Sequence, residues 1–189
     1  MMEFDLKVAL LNLKKENENN EKVVQEMLEF FDKYNDFAFV RENKEGHFTG
    51  SALVVDSAGN ILLNHHKKAD IWIQFGGHCD GEKDVKNVAL RETIEESGIS
   101  PNDLNFLIDG VFDCAIYNIP ANRTKGEPAH KHYDINFLIQ TNSRDYAMSP
   151  ESVELRWCTY KEALDLVKGD EACTRMIKKS RNYIKNNKK

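Results

Sequence analysis

Residues 76–99 read GGHCDGEKDVKNVALRETIEESGI, and this stretch decides how the whole chain is read. From Asp84 to Ser97 the apolar residues Val85, Val88, Ala89 and Ile94 recur at helical intervals, and Gly98 stands where a C-capping glycine belongs. Residues three and four apart share a helix face, so Glu92, Glu95 and Glu96 fall together, with Arg91 one turn before Glu95. Like charges crowded on one face call for a compensating cation. Either Arg91 and solvent supply the compensation, leaving an ordinary acidic face, or a hard divalent ion does. Mg2+ takes octahedral oxygen ligands, keeps several waters and shares its shell with phosphates. Carboxylates from one helix, with the Gly76 carbonyl from a paired-glycine turn, suit it. The turn, Arg-Glu and Glu-Glu-x-Gly occurring together favour the metal reading.

The stretch resembles the Nudix box, G-x5-E-x7-R-E-U-x-E-E-x-G-U, where U is aliphatic. Arg91, Glu92, Glu95, Glu96, Gly98 and Ile99 match its second half. Thr93 stands where an aliphatic residue is usual. The first glutamate of the pattern falls on Lys83, one residue after Glu82, so either the helix start is shifted or Glu82 swings into the place. Within that family the chain looks most like a bacterial subgroup with GHxT, WxQxGGHxD and HxHYD segments. Here they are Gly46-His47-Phe48-Thr49, Trp72 to Asp80 and His130 to Asp134.

The resemblance implies an α/β fold: a Nudix-type α/β/α sandwich with a mixed sheet. It implies metal-dependent hydrolysis of a diphosphate linkage in a small-molecule nucleoside diphosphate derivative, with Mg2+ as cofactor and Mn2+ as its substitute. Such a linkage carries dense charge that repels hydroxide, and metal ions neutralise it. Glu95 and Glu96 are then expected to hold the metal with the Gly76 carbonyl. Glu92 orients or deprotonates the attacking water, or shares the metal, and Arg91 holds a glutamate in place. Many Nudix hydrolases carry a further glutamate in a loop before a late strand. Glu151 in SPESVELRW is that candidate and a rival base, although a carboxylate capping the strand after Pro150 reads the same; Glu154 falls on the strand itself.

Working outward, the strands expected are Phe48 to Val55, Ile61 to Leu63, Ile71 to Phe75 running into the glycine turn, Phe106 to Tyr117, Tyr133 to Thr141 and Val153 to Thr159. Lys161 to Val167 begins a helix. Strands flanking a central helix, with more helix at each end, suggest an α/β sandwich. Residues 3–14 and 21–34 read as amphipathic helices joined by the polar segment KKENENNE, which makes 1–40 a helical extension packed on the core of a 41–189 domain. That extension is suited to packing alone, to forming a homodimer or to contacting substrate. The basic end from Ser180 to Lys189 reads as a fraying helix terminus, where cations favour the dipole, or as a contact for phosphates.

Histidines form a second constellation. His130 and His132 in HKHYD lie two apart, and on a strand they face the same side. With His78 beside Gly77, and with Tyr133, they are candidates for substrate binding; His130 and His132 also suit a softer metal. A plain surface strand with neutral histidines is the alternative. His65-His66 falls in a polar loop.

The net charge of −5 disfavours nucleic-acid binding driven by bulk charge. No apolar run approaches the roughly 18 residues that span a bilayer, and the first residues lack a basic segment followed by an apolar one, so no membrane association is expected. Cys79, Cys114, Cys158 and Cys173 form no CxxC and read as reduced thiols of a cytoplasmic protein. Two other classes share the resemblance. One is a Nudix-fold diphosphate isomerase, which uses a cysteine near the glycine turn, where Cys79 lies. The other is a non-catalytic nucleotide-sugar sensor, which commonly carries a degraded box.

Overall fold

Strand β1 (Gly46–Val55) is buried along its whole length, and its alternating side chains go to two different layers. Phe48, Ala52 and Val54 join one apolar cluster, and Leu53 and Val55 join the other. The structure, a computed structural model, describes residues 4–16, 21–124 and 126–187. Its elements are α1 (Leu6–Glu16), α2 (Glu21–Tyr34), β1, β2 (Ile61–His66), β3 (Ile71–Ile73), β4 (Phe75–His78), α3 (Val85–Ser97), β5 (Asn105–Phe106), β6 (Asp113–Ile119), β7 (His130–Gln140), β8 (Ser152–Cys158), α4 (Tyr160–Leu166) and α5 (Glu171–Asn187).

The strands form one mixed sheet ordered β3-β2-β1-β7-β5, with β4 also on β1, β6 on β7 and β8 on β2. β1 and β7 run parallel; the other pairings are antiparallel. Helices α1, α2 and α3 cover one face through Leu10, Met27, Val85 and Val88, and α4 and α5 cover the other through Ala163, Met176 and Ile177. This is the expected α/β/α sandwich. No helix among the described residues is long and apolar enough to cross a membrane.

The structure revises several local expectations. The Gly76-Gly77 pair is not a turn: it lies inside β4, opposite Ser51 and Gly50 of β1. A Cβ at residue 76 would collide with Ser51 and one at residue 77 with the Glu92 carboxylate, so glycine here permits close packing rather than chain reversal. The strand expected from Ile71 to Phe75 breaks at Gln74 into β3 and β4, which pair with different neighbours. The segment from Phe106 to Tyr117 likewise divides into β5 and β6. His65 and His66 extend β2, where His65 stacks on Trp72 at 4.9 Å.

Helix α1 starts at Leu6, later than expected, and α2 spans 21–34 as expected. Phe4 packs edge-on against Phe137, and Phe30 of α2 stacks on Tyr133 at 4.0 Å, so both helices share a core with the sheet. Of the KKENENNE connector, residues 17–20 lie outside the described residues. The basic C-terminal stretch is packed rather than fraying at its start: Ser180 is buried and the Tyr183 hydroxyl donates to the Leu107 carbonyl at 2.7 Å.

Candidate active site

Local signals build α3. The Asp84 side chain caps its N-terminus by accepting from the backbone N–H of Lys86 and Asn87, and Gly98, in the left-handed region at φ 64°, ends it with a hydrogen bond to the Ile94 carbonyl. Thr93, the departure from an aliphatic position, is fully buried. Its hydroxyl donates to the Ala89 carbonyl at 2.7 Å, so the helix satisfies the polar atom internally.

The carboxylates of α3 sit at different depths. Glu96 is buried, accepting the Gly76 backbone N–H at 3.0 Å and the Asn64 amide at 3.3 Å. Burial pushes its pKa up to about 8; Glu92, Glu151 and Glu95 add to the push, and the Gly76 hydrogen bond opposes it. Burial also raises Glu92, partly offset by Arg91. Glu95 is the exposed member, at 59 %. Arg91 ties the group together at 2.7 Å from Glu92, 3.5 Å from Glu95 and 3.7 Å from Glu82, while also donating to the His78 carbonyl at 3.3 Å. Glu82 thus does swing toward the box, accepting also from Asn87, whereas Lys83 points away to Asp36.

No Lys or Arg among the described residues pairs with Glu96. A buried carboxylate facing three other carboxylates, and bonded only to neutral donors, is a set that a hard cation completes. The residues present therefore fit a divalent metal of the Mg2+ class. Glu151 sits in the turn before β8, with its carbonyl accepting from the Lys67 N–H at 2.8 Å, and its charge reaches Glu96. Glu154 is on β8 as expected, in a two-pronged pair with Arg156 at 2.8 and 2.9 Å. Two surface cavities, of about 430 and 230 Å3, lie against α5 beside Phe112 and Tyr183 and beside Tyr160 and Arg181; neither includes an α3 glutamate.

The histidines are brought together on the sheet face turned away from α3. Parallel pairing places His47 opposite His132, and β4 places His78 opposite Thr49 on the same face. Ring centroids of His47, His78, His130 and His132 lie 4.7–5.2 Å apart along their contacts. Tyr133, expected beside them, is not among them: one residue on from His132, it faces the opposite layer, where it is buried between Phe30 and Phe48.

Sequence reasoning left His47 and Asn64 out of the site, and also a buried polar row. In that row Asp134, fully buried, accepts from Thr49 at 2.6 Å, Ser51 at 2.7 Å and Asn136 at 2.9 Å. Polar residues at alternate positions in HFTGS and HYDIN were the available signal.

The profile of the NUDIX domain matches residues 28–177. The chain belongs to the NUDIX family. Among curated Nudix relatives, a probable DHNTP pyrophosphohydrolase of Lactococcus lactis subsp. cremoris is 24% identical over 128 residues, 68% of this chain and 74% of that protein. An m7GpppN-mRNA hydrolase of Xenopus laevis is 26% identical over 121 residues, 59% of this chain but only 40% of that protein. Among solved structures, a C. elegans Ap4A hydrolase binary complex superposes with a TM-score of 0.60 at 22% identity, covering 74% of this chain and 98% of that one. That likeness is one of fold. In this Nudix chain the box helix is α3, and the glycine of the box is a strand residue on which Glu92 rests.

Proposed function

We propose that this protein is a cytoplasmic Nudix pyrophosphohydrolase acting on a nucleoside diphosphate derivative, with Mg2+ as its ion and Mn2+ as a substitute. Hydrolysis of a diphosphate linkage is the reaction of the site, and dependence on a divalent metal is a property of the family. One observation carries the reading. Glu96 is buried, faces the charges of Glu92, Glu95 and Glu151, and is bonded only to neutral donors, so among the described residues its carboxylate has no cation to balance it. We divide the chain into a helical extension, 1–40, and the hydrolase domain, 41–189.

Glu95, Glu96 and the Gly76 backbone, with Glu92, would hold the ion. When bound it would neutralise charge on the diphosphate and acidify water. The chain's own part is positioning and proton transfer. Arg91 holds Glu92 and Glu95 in a fixed relation. Glu92 takes the proton as water oxygen attacks phosphorus and the bridging P–O bond breaks; its raised pKa suits a base. Glu151 is the rival base, favoured by its exposure and by its reach to Glu96.

The isomerase reading needs a reactive thiol near the glycines. Cys79 is buried, and burial pushes its thiol far up, which argues against that chemistry. The test is a phosphate-release panel with Mg2+ and with Mn2+ over nucleoside triphosphates, ADP-ribose, nucleotide sugars, NADH and dinucleoside polyphosphates. Turnover of one class, absent in Glu96→Gln, supports the hydrolase. Tight binding of a nucleotide sugar without turnover makes the protein a sensor.

A further inference from the structure

We propose that His47, His130 and His132, with His78 as fourth ligand, bind a borderline divalent transition-metal ion, Zn2+ foremost, at a site separate from the α3 carboxylates. The ligating nitrogens of His47, His130 and His132 all lie within 4.8 Å of one another. His132 Nε2 is 3.2 Å from His130 Nε2 and 3.4 Å from His78 Nε2. Zinc–imidazole bonds of about 2.0–2.1 Å put neighbouring nitrogens of a tetrahedral site roughly 3.3–3.4 Å apart. The two spacings from His132 Nε2 match that edge, and small side-chain adjustments would bring His47 and His78 to it.

Two features favour a cation in this cluster. His47 is only 3% exposed, and neither of its ring nitrogens has a hydrogen-bond partner. Such a buried orphan is costly unless something meets it. His130 Nδ1 lies 2.9 Å from the Pro128 carbonyl, which can only accept, so Nδ1 carries the hydrogen and Nε2 presents a lone pair to His132. This is how outer partners orient metal-binding histidines. Arg41 is taken up by Asp80 at 2.5 and 2.7 Å. The site would cross-link the starts of β1 and β7 to the end of β4, one residue from the glycine beneath Glu92.

The proposal does not depend on hydrolysis. The test titrates chelator-treated full-length protein with ZnCl2 by calorimetry, and with Co2+ by visible absorption, in excess Mg2+. The expected result is about one equivalent bound, an intense four-coordinate Co2+ spectrum, and both retained in Glu92→Gln/Glu96→Gln. His132→Ala should weaken binding by more than the roughly 10–100-fold typical of losing an outer partner. His130→Gln, at a less buried position, does the same without emptying the core. Absence of Zn2+ binding by the folded wild type overturns the proposal. So does binding that survives both histidine changes or disappears with the glutamates.

Discussion

The Glu92 carboxylate rests directly on Gly77, occupying the space where a side chain of residue 77 would begin. The backbone of residue 77 is ordinary strand, and the obstacle to a Cβ is the movable end of one side chain. Gly77→Ala should therefore fold, with a melting temperature within a few degrees of wild type, while displacing Glu92. Turnover should fall by about two orders of magnitude, since small misplacements at a site cost that much. Gly76→Ala should instead destabilise, because its Cβ would strike the Ser51 side chain and backbone. Thermal melts and kcat for the two variants separate the effects.

Glu96 predicts opposite pH trends for metal affinity and for metal-free stability. In the folded chain it keeps its proton up to about 8, whereas an unfolded glutamate loses it near 4.5. The native state then binds more protons than the unfolded state across that window, so stability falls as pH rises through it, by at most about 1.4 kcal/mol per unit. Denaturant melts of metal-free wild type should show this slope relative to Glu96→Gln. Mg2+ must displace the proton, so its affinity should climb with pH and level off above about 8. Calorimetry in buffers of different ionisation heat would detect the released proton.

Arg91 touches three glutamates and the His78 carbonyl, which makes it a positioning residue. Arg91→Lys keeps the charge but loses the fork. It should lower kcat by about 10–100-fold, the range for outer-shell partners, with little change in melting temperature. An unchanged kcat would leave Arg91 as a surface charge only.

Tyr133 should matter for stability and not for substrate. Its ring is stacked on Phe30 at 4.0 Å and buried. Tyr133→Ala should cost about 3–5 kcal/mol, as for other large aromatic truncations in cores. Tyr133→Phe should be nearly silent in both melting temperature and KM. A rise in KM for the phenylalanine variant would return Tyr133 to the substrate site.

His132 gives a pH slope of the other sign. Burial lowers its pKa to about 3, against 6.5 in the unfolded chain, so on acidification the unfolded state takes up the proton first. Stability contributed by the neutral ring is fully present above 6.5 and is lost progressively toward pH 3. Acid melts of wild type should be steeper between these limits than those of His132→Asn.

The box was legible because its signals are short-range. Helical spacing, the Gly98 stop and the grouping of Arg91, Glu92, Glu95 and Glu96 all operate within about one to four turns. The paired glycines misled for the same reason. Gly-Gly favours turns locally, and only the neighbours across the strand, Ser51 and Glu92, reveal why a Cβ is excluded.

By itself the sequence determined the box helix and its charge pattern, and the resemblance that helix carries supplied the sandwich. Tertiary structure alone decided which strands are neighbours. The parallel register of β1 on β7 turns His47 and His132 from distant residues into a cross-strand pair, and the reach of β4 brings Gly76 to Glu96. The physical reason is that strand pairing is non-local. Its register depends on the summed burial of two separate segments, and no single stretch of chain encodes that sum.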